Sequence, residues 1–223
     1  MKYKSKVNRI CFLSPHSDDT FLELYHAISN RILQGEYYLC TVFADSNYVD
    51  CSQTDVYKDD DISEMRKNED AVFAKKMGMH YFFLKEPDCL LRFGDVYFDE
   101  CHHISKEIIT SISEKLTACL EERKIDCIIA PFPYGRKQHY DHRLLCEIAQ
   151  NIAKCKQITL LWTNDIPYSS VPLDKVKRCL WHKKLSREQV LDKVSNLDQI
   201  YPSQTCDYYK NAICDNNESI FVL

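Results

Sequence analysis

Arg9-Ile10-Cys11-Phe12-Leu13-Ser14-Pro15-His16-Ser17-Asp18-Asp19 is the stretch on which the fold turns. An apolar run over 9–14 gives way within two residues to a histidine and a pair of carboxylates. Residues 18–33 then repeat Phe21, Tyr25, Ile28 and Ile32 at helical spacing. The pattern predicts a buried strand feeding a helix, with Gly35 placed to end it. In an open parallel sheet, ligands gather beyond the carboxyl ends of the strands, which is where this cluster falls.

The alternation continues along the chain. Residues 37–44, 80–84, 126–131 and 158–162 read as strands, and 61–77, about 103–123, 141–153 and 186–199 as helices. Asp61 with Glu64 resembles a capping box, and Ile104, Ile108, Ile112, Leu116 and Leu120 recur every four residues as one buried stripe. Residues 45–60 read as a loop and 86–99 as irregular, and the last twenty residues carry no assignable element. Strands and helices taking turns predict an α/β class, a Rossmann-like three-layer sandwich with a mostly parallel sheet and its active site at the carboxyl ends of the strands. A chain of 223 residues, 45% hydrophobic, suits one substantial core, so 1–223 is expected to be a single domain.

Composition removes several function classes. A net charge of −4 with 28% charged residues offers no basic surface for nucleic acid or an anionic membrane. The apolar run over 10–13 is too short for a signal-peptide core, and no stretch approaches the roughly 20 apolar residues of a spanning helix. With only four glycines and no GxGxxG after the first strand, a dinucleotide-dependent oxidoreductase is excluded. The 12 cysteines are scattered, form no CxxC pair, and include Cys11, Cys40 and Cys127 inside apolar runs, the usage of a reduced chain. A cytoplasmic protein without membrane insertion or nucleic-acid partner is expected, and a homo-oligomer is left open.

The second chemical cluster is His139-Tyr140-Asp141-His142, which follows the fourth strand and opens a helix on the same edge of the sheet. Either cluster alone also reads as a surface loop with a capping Asp. Two of them at strand-to-helix junctions, far apart in the chain, point to a shared site. Two histidines and one aspartate satisfy the ligand count of a hydrolytic zinc centre that keeps a position open for water. Adjacent carboxylates diverge from a turn, so Asp18 and Asp19 divide into one ligand and one base. His139 and His142, three apart, place one imidazole on the metal and the other toward substrate. Asp141 is then a carboxylate that orients a histidine through its ring N–H.

His16-Ser17-Asp18-Asp19 resembles the HPDD motif of the LmbE-like (PIG-L) de-N-acetylases, and His139-Tyr140-Asp141-His142 matches their HxDH. Arg66 with Glu69, Pro87-Asp88, Asp165-Ile166-Pro167-Tyr168 and Tyr201-Pro202-Ser203-Gln204 are similar to further family segments, so the resemblance spans about 9–204. It implies that His16, Asp19 and His142 bind Zn2+ or another divalent metal. It makes Asp18 the general base, gives His139 the oxyanion or the leaving amine, and has Asp141 tune His139. Arg66 becomes a substrate-holding residue, although spacing equally allows an ion pair with Asp70. Ser17 stands where the family often has Pro, and Thr20 where it often has Glu, which alters the turn and its surroundings. The implied function is removal of an acetyl group from a small-molecule N-acetylated amino sugar or conjugate. The alternatives are a sugar- or nucleotide-binding protein of the same fold without turnover, and a zinc amidohydrolase acting on a non-sugar amide.

Overall fold

Strand and helix alternate from Arg9 onward in the computed structural model, which describes residues 8–49, 61–94, 105–135, 138–215 and 217–223. Five strands are parallel: β1 (Arg9–Ser14), β2 (Glu36–Thr41), β3 (His80–Phe83), β4 (Cys127–Phe132) and β5 (Thr159–Asn164). With β6 (Arg178–Lys184) and β7 (Asn217–Val222) they form one sheet in the order β3-β2-β1-β4-β5-β7-β6, in which β7 is antiparallel to both neighbours. The helices are α1 (Asp19–Ser29), α2 (Ile62–Lys76), α3 (Cys89–Phe93), α4 (Lys106–Glu122), α5 (Tyr140–Lys156), α6 (Arg187–Ile200) and α7 (Asp207–Asp215). This is the three-layer α/β sandwich the alternation predicts.

Side chains on a strand alternate between faces, and both faces here are covered. Ile10, Phe12, Leu39 and Ile129 pack toward α1, α2, α6 and α7, while Cys11, Leu13, Cys40 and Ile128 pack toward α4 and α5. From β1 the chain steps outward through β2 and β3, then returns to β4 on the other side of β1, with Ile10 opposite Cys127. The strand order therefore reverses between β1 and β4, and the crevice beyond their carboxyl ends is the ligand position of such sheets. Both His/Asp clusters start there.

Three sequence expectations are corrected. The first helix stops at Ser29 rather than at residue 33, so Gly35 does not end it. Ile32 N donates to Ala27 O and Arg31 N to Ile28 O around a left-handed Arg31 (φ 50°), a Schellman closure made without the usual glycine. The Arg31 guanidinium, bonded to Met77 O and Gly78 O and lying over the Tyr37 ring, holds that conformation. Within 86–99, Asp88 caps a short helix by accepting from Leu91 N, and Gly94 (φ 76°) closes it. The last twenty residues, which carry no assignable element in the sequence, contain α7 and β7, and β6 lies in the unassigned stretch before α6. Residues 50–60, 95–104 and 136–137, including His102-His103 and parts of the expected loops, lie outside the described residues.

α1 breaks at Leu24 (φ −140°, ψ 20°), and the break is filled from across the molecule. Lys193 Nζ donates to Leu22 O at 2.7 Å, while Glu218 accepts from His26 N and Ala27 N at 3.0 and 2.9 Å. Helix α6 and strand β7 thus complete the hydrogen bonding of the helix whose first turn carries the site.

Candidate metal centre

The turn after β1 is locked by its own polar groups. Ser14 Oγ donates to His16 O and accepts from Thr20 N, and His16 N donates to Asp19 Oδ2 at 2.8 Å. Ser17 Oγ donates to Arg66 O at 2.6 Å and so ties the turn to α2. Asp18 sits at the helix start in the left-handed region (φ 86°), with no capping bond from its side chain. Asp tolerates this conformation better than most residues, and here it turns the carboxylate into the crevice instead of back onto the helix.

His16 Nδ1 and His142 Nε2 are 3.2 Å apart, and Asp19 Oδ2 lies 3.2 Å from the first and 3.3 Å from the second. An ion held tetrahedrally at about 2.0 Å by nitrogen and oxygen requires donor separations of about 3.3 Å. The three atoms form one face of such a polyhedron. Each histidine is turned by a carboxylate on its far nitrogen. Asp141 Oδ2 lies 3.0 Å from His16 Nε2, and Asp165 Oδ1 lies 2.5 Å from His142 Nδ1, which leaves His16 Nδ1 and His142 Nε2 as the lone-pair atoms facing the centre. Burial pushes the Asp141 carboxyl up, but His16 and Arg92 outweigh it and bring it down to about 2, so it accepts only.

Charge shifts mark the same hole. Burial alone would lower His142, yet Asp19 and Asp165 raise it well above the ordinary range; burial would raise Asp19, yet His142 and His16 hold it far below. A proton on imidazole stands where a cation's charge is wanted. The donor set, two oriented imidazoles and one ionised carboxylate, fits a divalent metal such as zinc.

The flanking groups differ in state. His139 precedes α5 and its Nδ1 accepts from Asp141 N at 3.2 Å, so Nε2 carries the ring proton. Burial, then His16 and His142, hold His139 well below the usual histidine value, which makes it a neutral donor. Asp18 Oδ2 is buried without a hydrogen-bond partner, and Oδ1 is 3.3 Å from Arg66 Nη2. Burial and then Asp19 raise Asp18 well above the ordinary carboxylate range, against Arg66 and His16.

Every residue expected at the site is brought to this crevice. Two placements change its internal wiring: Asp141 is wholly buried and hydrogen-bonds His16 instead of tuning His139 through its side chain. Arg66 does not pair with Asp70 but binds Ser17 O, Asp18 and Ser46 Oγ, while Asp70 binds Thr41 and Tyr201. Sequence reasoning missed Asp165 and Arg92 as site residues. Asp165 directly follows β5, so the strand-end rule that located the two clusters would also have located it. Arg92, bonded to Asp141 Oδ1, lies in the stretch read as irregular.

The crevice opens into a small cleft of about 160 Å³. Asp18, Arg66 and His139 face it together with Tyr48, Tyr168 and Tyr209.

The profile of a family described as PIG-L, GlcNAc-PI de-N-acetylase, matches residues 11–153. A search of curated proteins returns no match. Among solved structures, a deacetylase of teicoplanin biosynthesis in complex with teicoplanin superposes with a TM-score of 0.68 at 16% identity, over 96% of this chain and 98% of that one. The teicoplanin deacetylase is also known in a zinc-inhibited form, matched at TM-score 0.63 and 16% identity over 92% of this chain and 85% of that one. The N,N'-diacetylchitobiose deacetylase of Pyrococcus horikoshii matches at 0.51 and 18%, over 92% and 73%. A 4-carboxy-2-hydroxymuconate hydratase from Pseudomonas putida matches at 0.55 and 14%, over 92% and 82%. At these identities the likeness is one of fold.

Proposed function

The chain belongs to the PIG-L family, and from that membership we propose that it is a zinc-dependent hydrolase that removes the acetyl group from an N-acetylated amino sugar or sugar conjugate. The observation that carries the reading is the triangle of His16 Nδ1, Asp19 Oδ2 and His142 Nε2, with edges of 3.2 to 3.3 Å, beside the unpartnered oxygen of Asp18. His16, Asp19 and His142 would hold a divalent metal, which would acidify a water and polarise the acyl carbonyl.

The protein's own groups divide the remaining work. Asp18 Oδ2 receives the proton of the attacking water and returns it to the sugar nitrogen as the C–N bond breaks, leaving acetate and amine. Arg66 holds Asp18 at Oδ1 and keeps Oδ2 turned to the cleft. His139 donates from Nε2 to the carbonyl oxygen as it gains charge, a contribution on the order of a hundredfold to a thousandfold in rate. Asp141 and Asp165 hold the metal-binding rings in their lone-pair orientation. Tyr48, Tyr168 and Tyr209 offer apolar faces and polar tips suited to a sugar ring. Family membership favours the acetamide over the hydratase chemistry found on the same fold. Among the described residues no helix is long and apolar enough to cross a membrane; the cytoplasmic location rests on the scattered cysteines of the sequence, the usage of a reduced chain.

Acetate release from N-acetylglucosamine conjugates, compared between wild type and Asp18→Asn at equal metal content, tests the reading. The variant should lose on the order of a hundredfold to ten-thousandfold in kcat. Undiminished turnover in the variant would remove Asp18 as the base. No release by either protein, across free, nucleotide-linked and lipid-linked N-acetyl sugars, would defeat the deacetylase reading.

A further inference from the structure

Cys89 Sγ lies 3.7 Å from His139 Nε2 on the wall of the cleft. A carboxylate oxygen of Asp141 joins them, so that one ligand atom from each of the three residues lies within 4.8 Å of the other two. We propose that Cys89 and His139, with Asp141 behind them, form a second, thiolate-containing site for a soft divalent metal such as zinc or cadmium. This site adjoins the His16, Asp19 and His142 centre without using its ligands, and filling it switches turnover off.

The spacing suits the chemistry. A metal about 2.3 Å from sulfur and about 2.0 Å from nitrogen, at a tetrahedral angle, sets those two atoms about 3.6 Å apart. Thiolate ligation selects zinc or cadmium and rejects magnesium or calcium. All three residues are buried, with Cys89 and His139 reached from the cleft.

Filling the site has costs that rank it below the first centre. The Cys89 thiol releases its proton to solvent as the metal–sulfur bond forms. His139 keeps its ring proton but moves it from Nε2 to Nδ1, giving up the bond from Asp141 N. Asp141 is already shared with His16 and Arg92. The second site therefore fills only when metal is in excess of the first equivalent. Ligation at Nε2 and donation from Nε2–H exclude one another, so an occupied site has no donor for the carbonyl oxygen. Metal binding here is independent of the deacetylase reading; the loss of turnover rests on it.

Cadmium titrated into metal-free protein, followed by thiolate-to-metal charge-transfer absorption in wild type and Cys89→Ala, separates the two parts. Both proteins should take a first equivalent with the same spectrum, and further cadmium should add absorption in wild type that the variant lacks. The exposed Cys155, Cys179 and Cys214 contribute alike to both proteins and cancel in the difference. In parallel, raising zinc from one equivalent to excess should lower wild-type kcat on the order of a hundredfold. Each protein is normalised to its own one-equivalent activity, and Cys89→Ala should hold steady. Identical cadmium spectra in the two proteins overturn the site. A Cys89-dependent spectrum with turnover retained at excess zinc upholds the site and removes His139 from the proposed reaction. Equal inhibition of both proteins overturns the switch.

Discussion

Lys193 Nζ lies 2.7 Å from Glu218 Oε1 within the break of α1, and the two side chains there serve backbone groups as well as each other. A buried ion pair can often be exchanged for apolar residues without loss, whereas removing one partner costs about 3–5 kcal/mol. Here the exchange would also strand Leu22 O, His26 N and Ala27 N. Lys193→Met is expected to destabilise the fold by about 3 kcal/mol or more, and the double variant Lys193→Met/Glu218→Leu to fail to recover that loss. Urea denaturation of both variants checks this; recovery of wild-type stability in the double variant would refute the backbone role.

Asp165 turns His142 by its Nδ1, at 2.5 Å. Asp165→Asn keeps the shape but removes the ionised acceptor, and orienting carboxylates of this kind are typically worth 10- to 100-fold in metal affinity. A loss of that order in zinc affinity, measured by chelator competition, is expected, with the circular dichroism spectrum unchanged. Unaltered affinity would mean that packing alone orients the ring.

Arg66 sets the pH at which Asp18 becomes a base. Burial and Asp19 raise the Asp18 carboxyl, and the Arg66 charge opposes them. Asp18 must be ionised to accept a proton, so turnover falls as pH drops through its pKa, and that limb lies above the usual carboxylate range. Arg66→Met removes an opposing positive charge, raises the Asp18 pKa further, and is expected to move the acid limb of kcat/KM to higher pH. Arg66→Lys, which keeps the charge, should move it less. A limb unmoved in Arg66→Met would detach the arginine from proton transfer.

His139 is expected to contribute as a neutral donor. Its depressed pKa keeps it uncharged through the neutral range, so protonating it belongs to acid conditions and its donor role needs no titration near pH 7. His139→Ala should lower kcat on the order of a hundredfold to a thousandfold while KM changes little. Zinc content equal to wild type, by atomic emission, would separate this from loss of a ligand.

The architecture was legible where periodicity was strong. β1 has the bounds its sequence predicts because Ile10 to Leu13 are buried on both faces and so form an unbroken apolar run. α6, expected over 186–199, begins at a full capping box of Ser186 and Gln189. β7 is not marked in the sequence because its buried Glu218 is satisfied by Lys193 and by α1, partners that local sequence does not reveal. β6 is not marked in the sequence because exposed residues such as Arg178, His182 and Lys184 blur the alternation of an edge strand. At the site, the two clusters carried residue types and junctions that spacing could interpret. Which histidine Asp141 would serve, and where Arg66 would reach, depended on the strand order instead.

His16 and His142 are 126 positions apart in the chain yet 3.2 Å apart in space, on segments that follow neighbouring strands. An ion gripping both would act as a cross-link closing a very long loop, restricting the unfolded chain as a covalent bridge does; for loops near 100 residues that restriction is worth about 4–5 kcal/mol in the chain-entropy treatment. The protein would thus carry a releasable staple in place of a permanent one. Chelators would then act on the protein's resistance to unfolding as well as on its chemistry.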